Sequence, residues 1–536
     1  MPVNRDKTTL GLSWVGLDQC AGKQRAASSM INTATFLIFC VFLVVFGLYN
    51  RVKKTRRLSE RLPGPSVLPL LDNFLTLGSL SPVPHYAWDS LTSQYGKIVR
   101  VVLGQTVLVI LGGLDQIKAA MNNQDLDDRA GLPTANLIRF GSDTAEEISF
   151  FQRAKIPKTA KVSPIEKWRE LRRFTLKSLR DLGLGKTASE EAIIEESKVL
   201  LQSVENVLGG KQEGIIDMEK SLNFAALNII WYLTAGQRFT YEDPKMQKLV
   251  NFAGEFMGLA KEVLTKPFGA FPLLRFIPPY REIFNKLSQS QLEFAAWVGD
   301  TIEEHRQSLD PENPRDLIDM FLIEAEKDER EIYTESQLIS ICNDLFIAGS
   351  ETTSNSLQFA IAVLVRYPDV QAEVQSHLDR IEADVIRMEH RASLGYVEAT
   401  LNEIWRFCNV APFGPPRYAH SDVKINETVI PAGSSVMYNT FTLHNDKDHW
   451  GDPELFRPER FMRGDTFVPD EMLNPFGIGR RKCLGETLAR MENFIFFANL
   501  MKRFRFEKIG EEPPSLEPNV GFTNRPFSFK TKIFIR

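Results

Sequence analysis

Cysteine is scarce in this sequence and its placement excludes two structural uses. Cys20, Cys40, Cys342, Cys408 and Cys483 are scattered through 536 residues, and no spacing among them would hold zinc or build a disulfide framework. The body of the chain reads as facing a reducing compartment. The seven histidines form no HExxH pair, which removes a zinc hydrolase. No GxGxxG fingerprint occurs, so the chain carries no dinucleotide-binding module of its own. "GLGKT" at Gly183–Thr187 is not a phosphate loop, because Arg180 stands where its first glycine would be. Lys and Arg number 64 against 68 Asp and Glu, a net charge of −4 that argues for no nucleic-acid surface. Internal repeats and flexible linkers between residues 70 and 510 are also missing.

What is present is ordinary globular material, 43% hydrophobic and 25% charged. Length alone suggests about three domains, but no linker divides the chain. One segment stands apart. Ala34–Tyr49, "ATFLIFCVFLVVFGLY", is uncharged, and with Met30 it approaches the roughly 20 residues a bilayer-spanning helix needs. A cleaved signal peptide is the alternative, yet the run starts late, is long, and lacks a small-residue cleavage site. Arg51, Lys53, Lys54, Arg56 and Arg57 follow, and the positive-inside rule places the C-terminal mass in the cytosol. Arg5, Lys7, Lys23 and Arg25 weaken that asymmetry without reversing it. "LPGPSVLP", Leu62–Pro69, is a stiff joint. The expected organisation is a polar tail (1–30), a transmembrane anchor (31–50), a basic and proline-rich hinge (51–69) and a catalytic body (70–536).

The body reads as mainly α with small β-sheets. Helical periodicity with caps covers Ser189–Leu208, Ser221–Leu233, Leu287–Gln307, Glu335–Val365, Asp369–Ile381 and Leu394–Phe407. Lys97–Gly112 alternates as a hairpin, and Val423–Asn439 returns to strand character around a turn. Thr334 with Gln337 fits a capping box, and the helix that follows is long enough to cross a core. Within it lies "AGSETT", Ala348–Thr353. Gly349 weakens the helix and the Thr352 hydroxyl can divert a carbonyl, so a bulge or kink is expected there. A carboxylate, Glu351, and a hydroxyl, Thr352, in an apolar span are costly unless used. The bland alternative is close helix packing at Gly349 with a solvated Glu351.

"FGIGRRKCLG", Phe476–Gly485, sets Cys483 among Arg480, Arg481 and Lys482, just before a helical pattern. Adjacent cations and a helix N-terminus lower a thiol pKa, so an easily ionised sulfur is expected, a nucleophile or a metal ligand. No second cysteine completes a zinc site, whereas haem iron needs a single axial thiolate. An inert buried cysteine is the alternative.

These residues resemble the cytochrome P-450 haem-thiolate monooxygenases. Phe476, Gly479, Arg481, Cys483 and Gly485 match that family's cysteine loop in register. "EIWR", Glu403–Arg406, with Arg460 in "FRPERF" resembles its structural salt-bridge triad. "AGSETT" is similar to its oxygen-activating stretch, "WRELRR" to its C helix, and "PPRYAH" to a propionate-binding segment. The motifs run in family order and the resemblance covers about residues 31–536, most like the animal microsomal steroid and xenobiotic hydroxylases. The polar residues 1–29 depart from that group's usual start.

The resemblance implies one large domain of the cytochrome P-450 fold behind an N-terminal transmembrane helix. It implies haem b, iron protoporphyrin IX, with Cys483 as axial thiolate and metal ligand. Trp168, Arg172, Arg417 and Arg481 are implied as propionate contacts, Phe476, Gly477, Ala348 and Gly349 as further cofactor contacts, and Thr352 and Glu351 as the catalytic pair. O2, a lipophilic small-molecule substrate, an NADPH-dependent flavoprotein reductase and cytochrome b5 are the implied partners. Lys167, Arg169, Arg173, Lys177, Arg480 and Lys482 would form a basic docking face, and a solvated helix face is the alternative. The implied location is the endoplasmic reticulum membrane, single-pass, with a cytosolic catalytic domain. Phe256–Pro279 reads either as a segment dipping into the bilayer or as core. Asn426 in "NET" matches a glycosylation acceptor that a cytosolic face would leave unused. A haem-thiolate isomerase or dehydratase, or a noncatalytic membrane haem protein, are the competing classes. The acid and hydroxyl of "SETT" argue against the isomerase or dehydratase.

Overall fold

The computed structural model of the protein describes residues 62–536 apart from 69–71, 105, 131–133, 135–137, 139–161, 266 and 270, and also residues 35, 39, 46, 47, 49 and 50. Except at those last six positions, the expected anchor and the basic part of the hinge lie outside the described residues. No helix among the described residues is long and apolar enough to cross a membrane.

The body is mainly helical, with small sheets at its margins. Its axis is the long helix Glu335–Arg366, buried along most of its length. Thr334 starts it by accepting from the Gln337 amide at 3.2 Å, and the chain turns at Tyr367 before Pro368. The expected kink does not interrupt it. The Thr352 hydroxyl donates to the Ala348 carbonyl at 2.8 Å, yet the helix is continuous through Gly349. A Cβ at Gly349 would fall 2.8 Å from Ile230 Cγ1, so this glycine lets the helix Glu219–Ala235 lie close alongside. The packing alternative is therefore what Gly349 does.

The expected helices are present as Thr187–Leu208, Glu219–Ala235, Tyr280–Gln307, Pro368–Asp379 and Gly395–Cys408; the third begins before the expected Leu287, and none of the five has a side-chain hydrogen bond at its N-cap. Lys97–Gly112 is the expected hairpin, Ile98–Leu103 antiparallel to Thr106–Leu111. It extends into a four-stranded sheet through Ser435–Tyr438, parallel to the second strand, and then Arg417–Tyr418. Asn426 turns the hairpin between Val423–Ile425 and Thr428–Ile430 at φ 51°, a left-handed position that asparagine tolerates.

The proline segment belongs to the body rather than only leading to it. Leu62 is buried, the Arg100 amide donates to the Pro63 carbonyl at 2.8 Å, and Arg100 Nη2 donates to the Pro65 carbonyl at 3.1 Å. A Cβ at Gly64 would meet the Arg100 carbonyl oxygen at 2.2 Å, so only glycine fits.

Glu403, Arg406 and Arg460 form one buried network. Arg406 grips Glu403 through Nε and Nη2 at 2.7 and 2.8 Å, and Arg460 Nε adds a third bond at 3.1 Å. The remaining arginine donors reach the carbonyls of His444, Trp450, Asp452 and Leu455, and Arg460 Nη2 also reaches the Asp452 carboxylate at 3.1 Å. The triad ties the helix Gly395–Cys408 to the segment that precedes the cysteine loop.

Candidate active site

Two left-handed glycines shape the cysteine loop. Gly477 (φ 77°) and Gly479 (φ 78°) are also closely overlain: a Cβ would fall 2.4 Å from Tyr438 Oη and 2.2 Å from the Met121 carbonyl oxygen respectively. The Cys483 amide donates to the Phe476 carbonyl at 2.8 Å, which closes the loop, and Gly485 then caps the helix Glu486–Arg503. The Phe476 ring lies 5.5 Å from Trp405, with the Arg490 guanidinium 4.7 Å from its centroid.

Cys483 has accessible surface as a residue, while its thiol is desolvated by the surrounding protein. The expectation of an easily ionised thiol is corrected here. Burial pushes its pKa up, and this outweighs the lowering by the Gly485 amide, Arg172 and Lys482, while Glu486 adds to the rise. Such a sulfur becomes an anion when a metal cation takes it as ligand. Cys342 and Cys408 are buried, and burial likewise raises their thiols, which suits inert packing.

Beside the loop lies a knot of arginines. Arg481 stacks on Trp168 with its guanidinium 3.5 Å from the ring centroid, and its Nε donates to the Asp127 carbonyl at 2.7 Å. Arg417 Nη1 donates to the Leu126 carbonyl at 3.2 Å, and Arg129 Nη1 to the Pro415 carbonyl at 3.0 Å. No ion pair to a carboxylate is made by Arg417 or Arg481 among the described residues. Burial first, and then repulsion from Arg417, lower the pKa of Arg129 to about 9, and burial with repulsion from Arg129 and Arg417 moves Arg481 well down; burial lowers Arg417 to about 10 against the pull of Tyr438 and Asp127, with Arg172 and Arg480 adding to the fall. Trp168 Nε1, Arg417 Nε and Arg481 Nη1 are buried donors without an acceptor. Unpaired buried charge is expensive. The donor set fits a group that brings carboxylates, as a haem does with its propionates, next to a sulfur that needs a cation.

The structure brings Trp168, Arg417 and Arg481 together as expected and sets Arg129 among them. Arg172 acts on the charges of Arg129, Arg417 and Arg481 as well as on Cys483, and its Nη2 donates to the Lys482 carbonyl. Arg129 and Asp127 lie in "LDDRAG", a stretch with no periodicity or motif to point to them. Asp127 draws in Arg169 at 3.1 Å and Arg480 at 3.0 Å, clipping the Trp168 helix to the cysteine loop.

On the long helix, Ala348 and Thr352 are only half-buried, one turn apart, while Ser350, Glu351 and Thr353 are buried. Asp344, one turn earlier, lies near enough to Arg129 to act on its charge. Glu351 has its pKa raised to about 7 by burial, against the pull of Arg525 and of Asn355, whose Nδ2 donates from 3.5 Å. Glu219 pushes the same way as burial. Glu351 is thus not the solvated residue of the bland alternative. Glu492 escaped the sequence reading, although a charge inside "MENFIFFANL" was a legible signal. It is buried on the helix Glu486–Arg503, accepts from the Thr353 hydroxyl at 2.8 Å, and has a pKa raised to about 8 by burial.

Residues 62–533 match the family model described as Cytochrome P450. Among similar proteins, cytochrome P450 2J5 of Mus musculus is 32% identical over 520 residues, spanning 94% of this chain and 98% of its own length. Cytochrome P450 2J2 of Homo sapiens is 32% identical over 510 residues, 94% of each chain. Cytochrome P450 2K6 of Danio rerio is 34% identical over 473 residues, 86% of this chain and 88% of its own. A match of this extent, on a body whose cysteine loop and arginine knot fit a haem, shows that the chain belongs to the cytochrome P450 family, the haem-thiolate monooxygenases.

Proposed function

We propose that this protein is a membrane-anchored monooxygenase that inserts one oxygen atom from O2 into a lipophilic substrate, with Cys483 as the thiolate that would hold its haem. The observation that carries the assignment to Cys483 is a desolvated sulfur beside buried arginine and tryptophan donors that have no acceptor. Haem, when bound, supplies oxygen activation. Trp168, Arg129, Arg172, Arg417 and Arg481 would hold its carboxylates, and Arg172 also holds the loop at Lys482. Thr352, whose proton is committed to the Ala348 carbonyl, offers its lone pairs to a water beside the reacting oxygen. Glu351, with a pKa near neutrality, holds a proton at its carboxyl and passes it inward from the half-exposed Glu219 and Arg525 side.

The reduced protein should give the carbon monoxide difference spectrum of a thiolate-ligated haem, and Cys483→Ala should abolish it. An unchanged spectrum in that variant would reject the assignment. Substrate-induced spin shifts across lipophilic steroids, fatty acids and xenobiotics then define the substrate.

Anchoring and lipophilicity have further support. Leu273, Phe276 and Ile277 are 77, 62 and 54% exposed in the turn before the helix Tyr280–Gln307. Phe271 beside them meets Phe74 at 6.1 Å, which continues the apolar face to the exposed Leu75. This surface suits contact with the endoplasmic reticulum bilayer, with the body on the cytosolic side. Electrons come from a separate NADPH-dependent flavoprotein reductase, with cytochrome b5 as a second donor. The docking face is narrower than the six cations of the sequence reading. Lys167 is buried, Arg169 and Arg480 are bound to Asp127, and Lys482 pairs with Glu486 at 2.6 Å. Arg173 and Lys177 stay exposed, as does Arg180. Reduction should slow as salt rises; a salt-independent rate would reject this face.

A further inference from the structure

Tyr438 stands at the end of the strand Ser435–Tyr438, where the register sets Arg417 opposite Val436. Directly opposed residues share a face and the pleat repeats every second residue, so Tyr438 projects on the same side as Arg417. Two glycines make room for it. A Cβ at Gly414 would fall 2.3 Å from the ring carbon Cζ, and a Cβ at Gly477 would fall 2.4 Å from the hydroxyl oxygen. The side chain therefore reaches from the sheet to the cysteine loop and ends against it.

Tyr438 is only 9% exposed, yet its hydroxyl makes no hydrogen bond among the described residues. A buried tyrosine normally finds a partner. The charges that act on this hydroxyl are those of Arg129, Arg417 and Cys483. Guanidinium groups are donors only and cannot receive its proton. What is missing is an acceptor, and Arg417 Nε lacks an acceptor on the same face of the same sheet.

We propose that Tyr438 is a cofactor-positioning residue whose hydroxyl donates to the haem carboxylate held by Arg417, fixing that edge of the cofactor against the cysteine loop. The proposal rests on the haem site described under the proposed function, and it adds a neutral donor to a cluster otherwise built of cations. A hydroxyl there holds a carboxylate without adding a further repelling charge to Arg129, Arg417 and Arg481.

The test uses the holoenzyme and Tyr438→Phe, which keeps the ring between Gly414 and Gly477. Haem transfer to excess apomyoglobin should quicken about tenfold, the effect of losing one hydrogen bond to a charged group. In resonance Raman spectra the propionate-bending band should shift, while the iron–sulfur stretch stays in place. An unmoved propionate band, or a shift in the iron–sulfur stretch alone, overturns the proposal, the latter by assigning the hydroxyl to the thiolate. Arg417→Gln should move the same propionate band. A wild-type protein without haem would instead refute the underlying site, so the two failures are distinguishable.

Discussion

Two buried knots of arginine are built to opposite rules. Around Glu403, the guanidinium groups of Arg406 and Arg460 find a carboxylate and a set of carbonyls. Around Trp168, Arg417 and Arg481 find only carbonyls, repel one another, and leave donors unmatched. The first network is complete within the protein and serves the fold. The second is completed by something the chain does not encode, and such a deficit, rather than burial or charge as such, marks a cofactor site.

Breaking the complete knot should have the largest effect. Glu403→Ala strands the buried Arg406 and leaves Arg460 with Asp452, a loss of about 3–5 kcal/mol, and the protein should fail to accumulate in folded form whether or not haem is supplied. Recovery of a normally stable apoprotein, measured by denaturant titration, would mean the triad is dispensable.

Glu492 sharpens the contrast with the opposite sign, as a buried carboxyl with no ion pair among the described residues. Its folded pKa of about 8 lies above the ordinary 4.5. The folded state therefore holds the proton more tightly, and the group's contribution to stability is fully present below pH 4.5 and is lost as pH rises to 8. Glu492→Gln stays neutral, so it should exceed the wild type in stability by on the order of 2–4 kcal/mol at pH 9, with the gap closing near pH 4.5. A gap that is independent of pH would refute the buried proton.

Breaking the incomplete knot should cost function rather than folding. Arg417→Leu removes a repelling charge and one hydrogen bond to Leu126, so the apoprotein midpoint should hardly move. Haem occupancy at limiting haem should fall about tenfold or more. A matching loss of apoprotein stability would place Arg417 with the structural knot instead. Thr352→Ala should have the smallest structural effect: haem stays bound and stability is unchanged within ~0.5 kcal/mol, while reducing equivalents are diverted to hydrogen peroxide. Tight coupling in that variant would reject the role of the hydroxyl.

Much of this was legible in one sequence because it is local. Capping at Thr334, the glycines around Cys483 and the i, i+3 pair Glu403 and Arg406 are written in short windows. Burial is not local, which is why neighbouring cations pointed to an easily ionised Cys483 and the folded protein does the reverse. For the same reason the bond from Arg172 to the Lys482 carbonyl was not foreseen. Arg129 and Tyr438 reach the site only through sheet register and loop contact. Gly349 looked like a weak point in a helix and proved to be the groove for Ile230.

The stitching of Pro63 and Pro65 to Arg100 also sets the length of a leash. Between the end of the proposed anchor at residue 50 and the first pinned residue, Leu62, only 11 residues intervene. Fully drawn out, these span roughly 40 Å, less than the width of many folded domains. With the proposed anchor seated in a bilayer, the body would be held within that distance of the lipid in which greasy molecules dissolve.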